Sequence, residues 1–276
     1  MSTRSARNTS WLKASIRLAS MALFLLSCSS EPTPAGSSGA PAASGKPDVT
    51  KLFARSITNV AIEIDYADGA APAEGELKNF GPVWSLFNAN VLAVFDGKKT
   101  VSFPTKVSAM EKLGDVPAKS FSNQDLLDVA AAHRNEASTA DTASFYVVFV
   151  NGYWIDDSGA EQQDIISVSV GGTGVIGVFK PAIESPLIEQ LALIHAFGHA
   201  VGFVDNGVPV GEANKGHVDE SGKHCTNEKC AMHAAVETAA GAKKYASTLI
   251  RSPEAVLIGQ DCLSDARLLE STQLSQ

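Results

Sequence analysis

Positive charge is scarce in this chain: 22 lysines and arginines stand against 30 acids, for a formal net charge of −8. No basic face for phosphate follows from such a balance, so nucleic acid is excluded as a partner. Long apolar runs are missing as well. The run at residues 21–26 (MALFLL) is far shorter than the roughly 20 residues that cross a bilayer. Internal repeats are absent, and beyond residue 50 no second low-complexity break divides the chain, so one domain is the simplest organisation. What is present, 45% hydrophobic and 19% charged residues, suits a globular protein with a real core.

The N-terminus has its own pattern. Arg4, Arg7, Lys13 and Arg17 precede the short apolar run, and no acidic residue occurs before Glu31. This is the layout of an export signal over residues 1–27. Its end, Leu25-Leu26-Ser27-Cys28, resembles the bacterial lipobox, in which the cysteine is lipidated and becomes the mature N-terminus. The resemblance implies an exported protein anchored to a bacterial membrane through Cys28. Ser29 after the cysteine favours the outer membrane, with the domain in the periplasm or at the cell surface. Residues 28–49 are dominated by Ser, Pro, Gly and Ala, too apolar-poor to pack, and read as a flexible tether. Residues 50–276 form the domain.

Within the domain, residues 57–66 alternate apolar and polar and predict a strand. Residues 82–95 carry apolar positions at helical spacing after a Gly-Pro start. Ser122 caps a second amphipathic helix, LLDVAAAHR. Residues 143–150, 165–170 and 175–179 are β-branched runs, the last two joined as a hairpin by the glycines at 171–174. Ser185-Pro186 then supplies an N-cap and first-turn proline for a helix reaching about Phe203. The predicted class is α+β, a twisted mixed sheet with helices packed on it.

That last helix carries the chemistry. His195 and His199 are four apart, so both imidazoles aim at one point, as zinc requires of two ligands. Gly202 follows, giving H-x-x-x-H-x-x-G. Downstream lies His224-Cys225-Thr226-Asn227-Glu228-Lys229-Cys230-Ala231-Met232. Together these resemble the archaemetzincin pattern of the metzincin zinc metalloproteases, whose H-C-x4-C-x-M segment matches position for position. A looser likeness to lipoprotein metalloproteases of bacteria extends over the C-terminal part. The resemblance implies a metzincin-like fold with an active-site helix, Zn2+ as cofactor, a peptide or protein substrate, His224 as third ligand and Met232 as the Met-turn beneath the metal. Gly202 would let the helix stop and the chain turn back.

The sequence departs from that pattern twice. Residues 203–223 separate the glycine from His224, so Asp205 and His217 stand as alternative third ligands. The general-base glutamate of H-E-x-x-H is Ala196 here, and losing such a base costs about 10²–10⁴ in rate. Two functions therefore fit: a metalloendopeptidase silenced at this position, whether naturally or by inactivation, or a zinc-dependent peptide-binding lipoprotein. With Cys28 lipidated, Cys225, Cys230 and Cys262 remain, and an odd count suggests one disulfide with a free thiol. His217 or His233 joining them in a second zinc site is the alternative. Glu189 reads as a solvated charge at the helix start, His133 as a surface histidine. Tyr153 and Tyr245 read as packing residues, with oxyanion stabilisation as their other use.

Overall fold

A computed structural model describes residues 49–204 and 206–273 of the chain. The export signal, the tether, Cys28 and Asp205 lie outside the described residues. Strand β1 (Asn59–Ala67) is followed by helix α1 (Val83–Val94), the short strands β2 (Thr100–Ser102) and β3 (Glu111–Leu113), and helix α2 (Asn123–His133). Strand β4 (Thr142–Val150), the pair β5 (Ser167–Val170) and β6 (Val175–Phe179), and helix α3 (Pro186–Ala200) come next. Helices α4 (Ala239–Arg251) and α5 (Gln260–Gln273) close the domain.

The main sheet is mixed and mostly parallel, in the order β2-β1-β4-β6-β5, with β3 also pairing β1. Strand β1 runs parallel to β2, β3 and β4, and β4 runs parallel to β6. Only β5, at the edge, is antiparallel, with Val170 opposite Val175. Every residue from Phe145 to Val150 is buried, which explains why β4 reads as an unbroken apolar run: a parallel sheet is covered on both faces. Gly172 (φ +73°) and Gly174 (φ +69°) make the β5–β6 turn, where a side chain would be strained.

The helices start where their caps put them. Ser122 Oγ accepts the Asp125 amide while Asp125 Oδ2 accepts the Ser122 amide, a reciprocal capping box. Ser185 caps α3, with Pro186 in the first turn. Helix α3 ends in a Schellman arrangement: Phe203 N–H donates to Gly198 O and Gly202 N–H to His199 O, both at 3.0 Å. Gly202 sits at φ +90°, the left-handed conformation that this ending requires. Val204, a β-branched residue at φ +60°, follows it under strain.

Glu189 corrects an expectation. It is fully buried, its carboxylate held by Lys180 and by the Ala73 amide at 2.7 Å. Two donors and the positive end of α3 replace the water it would otherwise need. His133, expected at the surface, is largely covered and lies 3.3 Å from Asp115.

Asp65, on β1, is buried, and that burial raises its pKa from 3.8 to about 6. The native carboxyl therefore keeps its proton across a window where the unfolded chain has released it. Stability falls as pH rises through that window. Asp65→Asn should raise stability by about 1–3 kcal/mol at pH 8 and leave it unchanged near pH 3.5, as read by urea melts at the two pH values.

Candidate metal centre

Three imidazoles meet at the C-terminal end of α3. The ligand nitrogens of His195, His199 and His224 all lie within 4.8 Å of one another. The Nε2 atoms of His195 and His199 are 3.1 Å apart, as the one-turn spacing predicts. His224 arrives from the loop ahead of Met232, so the long segment after Gly202 does return to the helix. His217 belongs to a separate cluster, described below.

Two of the three rings have a partner behind them. Nδ1–H of His195 donates to the carbonyl of Ala231 at 2.7 Å, leaving Nε2 with its lone pair toward the centre. His224 Nδ1 lies 3.6 Å from Asp219 Oδ2. Asp219 is itself tied down by Ser221 and by the amides of Lys223 and His224. Burial lowers the pKa of His195 to about 4, partly offset by the Ala231 carbonyl. Burial, then the neighbouring His195, holds His199 well below the usual value. Both rings are neutral at pH 7, the form that ligates metal.

Met232 lies beneath the helix. It is fully buried, and a Cβ placed on Gly198 would come within 2.2 Å of its sulfur. Gly198 is therefore what allows the methionine to touch the helix directly under the histidines. Nothing in the spacing of the histidines signals this.

A second cluster abuts the first. Ligand atoms of His217, Cys225 and Cys262 lie within 4.8 Å of one another, and Cys230 Sγ is 3.8 Å from Cys262 Sγ. His217 Nδ1 is 3.8 Å from Cys262 Sγ, while its Nε2–H donates to Asp265 Oδ2 at 2.8 Å. Asp265 accepts Gly211 N–H and Asn214 in turn. Cys230 Sγ accepts the Gly259 amide at 3.0 Å. Hydrogen bonds from Cys230 and Cys262, and then from His217, pull Cys225 far toward thiolate. The three thiols are unbonded to one another, so the disulfide expected from their count is not formed here. His233 plays no part in either cluster; its Nδ1 accepts the Ala235 amide.

A cavity of about 390 Å³ opens over the first cluster. Edge strand β5 forms one wall through Ser167, Val168 and Ser169, and Trp154, Ala196, Asn206, Lys223 and Glu237 are among the residues that line it with the histidines. Tyr153 and Tyr245 do not line it; Tyr245 is buried with its hydroxyl donating to Lys229 O at 2.7 Å. Sequence reasoning missed Gly198, Asp219, Asp265 and Glu237. Cys262 and Asp265, three apart on a helix and so on one face, carry the one local signal among them. No protein-family profile, characterised protein or solved structure matches the chain. Buried His and His/Cys groups that could bind metal ions are thus established by geometry alone.

Gly198→Ala should destabilise the protein by about 1–3 kcal/mol, because the added methyl collides with the fully buried Met232 side chain and forces it to shift. Chemical denaturation of the two proteins measures the difference.

Proposed function

We propose that the chain is a membrane-tethered, extracytoplasmic zinc metallopeptidase of metzincin type. The observation that carries this reading is the convergence of three imidazoles beside an edge strand. His224 Nε2 is buried and makes no hydrogen bond, an orphan of the sort a metal ion satisfies. Three nitrogen ligands with room for a fourth fit zinc in a catalytic role, and three sulfurs with one nitrogen fit zinc in a structural one. Zinc held by the three histidines supplies a polarised water and a Lewis acid for a peptide carbonyl.

The chain's own residues provide the rest. The tautomer of His195 is set by the Ala231 carbonyl, and Asp219 stands behind His224. Strand β5 has no partner on its outer side among the described residues, and its main chain is free to pair with an extended peptide laid along the cavity. Asp265 orients His217 in the cysteine cluster as a carboxylate behind a ligand histidine does. Tethering rests on the Cys28 lipobox; among the described residues no helix is long and apolar enough to cross a membrane.

Ala196 favours a second reading, a zinc-dependent peptide-binding lipoprotein without turnover. Both readings require zinc in the three-histidine site, and a filled thiol cluster would raise the count to two per chain by elemental analysis. His199→Ala and Cys262→Ser should each remove one. Hydrolysis of unstructured peptides by the zinc-loaded wild type or by Ala196→Glu marks a peptidase. Zinc-dependent peptide binding with no hydrolysis by either marks the binder, and less than half an equivalent of zinc overturns both.

A further inference from the structure

Position 196 lacks a carboxylate, yet the cavity does not. Glu237 is the one carboxylate among the described residues that line it. Its Oε2 lies 3.5 Å from His224 Nε2, the buried ring nitrogen that makes no hydrogen bond. No hydrogen bond from a described residue engages the Glu237 carboxylate, and about a third of the side chain is exposed to solvent. Asp219, the other acid beside His224, is committed behind the ring to Ser221 and two amides.

The backbone at Glu237 is fixed from both sides. It ends the short 3-10 helix Ala234–Glu237, five residues after Met232, whose first turn is capped by His233. Its carbonyl accepts the Ile166 amide at 3.1 Å, and Ala239 N–H donates to Asp164 O at 2.7 Å. The carboxylate is thus carried between the base of edge strand β5 and the turn that bears Met232, opposite α3. It approaches the histidines from a different element than a residue at 196 would. Its oxygen falls outside the group of mutually close ligand atoms, which comprises the three histidines alone.

We infer that Glu237 is the proton-transfer residue of this site, performing from the Met232 turn the task that Ala196 cannot perform from the helix. The inference rests on the peptidase reading above. As a water oxygen bonds to the carbonyl carbon of the scissile peptide, Glu237 Oε2 takes the proton that water releases. When the carbon–nitrogen bond breaks, the same oxygen delivers that proton to the departing amine. The sum is one water consumed, one acid and one amine formed, and no net change in Glu237. A carboxylate near the centre but outside the ligand group is placed for this exchange and leaves the metal's own ligands intact.

The test uses full-length, zinc-loaded protein and a mixture of fluorogenic peptides. Wild type should cleave. Glu237→Gln, equal in shape, should keep the wild-type zinc content and KM while kcat falls about 10²–10⁴-fold. Glu237→Asp, which keeps the carboxylate one carbon further back, should retain more turnover than the Gln variant. Loss of one zinc in Glu237→Gln makes the residue a ligand and overturns the inference. Unchanged kcat in that variant, or equal losses in Asp and Gln, overturns it as well. If Ala196→Glu cleaves and wild type does not, the peptidase reading stands and Glu237 is not the base. If both hold zinc and neither cleaves, the peptidase reading itself falls, and the role of Glu237 with it.

Discussion

The hydrogen bond from His195 Nδ1 to the Ala231 carbonyl joins the two halves of the site. It connects a helix to a turn 36 residues later, with both partners buried. A buried imidazole and carbonyl left without each other would cost about 1–3 kcal/mol, so the turn is held against the helix. The same bond chooses the tautomer that sends Nε2 toward the centre. Around Ala231 the chain places Cys230 on one side and Met232 on the other, so one short segment serves the imidazole cluster, the thiol cluster and the packing beneath α3.

That sharing explains why the clusters adjoin. His224 contributes to one and Cys225, its neighbour, to the other. Cys262 and Asp265 draw α5 onto the loop that leads to His224. The sheet contributes a frame more than ligands: its central strands β4 and β6 are buried, and its one antiparallel strand faces the cavity. Stability sits in β4 and α3, and the chemistry sits where loops cross their ends, as expected when a rigid scaffold positions irregular segments.

Much of the frame was readable from periodicity and caps. The strands at β1, β4, β5 and β6 and the capped starts of α2 and α3 follow from alternation, β-branched runs, and Ser122 and Ser185. His195 and His199 were readable because a helix brings residues four apart together. Residues joined by tertiary approach left no such trace. Glu189 looked solvated because its partners, Lys180 and the Ala73 amide, come from outside its helix. His217 meets Cys262 across 45 residues, and Glu237 meets His224 through a turn whose direction no local pattern reveals. The odd cysteine count pointed to a disulfide because it registers number and compartment, whereas the folded chain sets Cys225 and Cys262 beside His217, with Cys230 3.8 Å from Cys262.

The excursion between Gly202 and His224 has a consequence of its own. Its start is fixed by the Schellman ending of α3 and its finish by Asp219 and the clusters, so its ends are held independently of its length. Closing a flexible loop costs only about 0.6 kcal/mol more for each doubling of its residues. A segment of roughly twenty residues is then little more expensive to close than one of five, by about 1.2 kcal/mol. Outside Gly211, Asn214 and His217, which are committed to the thiol cluster and Asp265, this excursion is therefore where the architecture can gain or lose sequence at small thermodynamic expense.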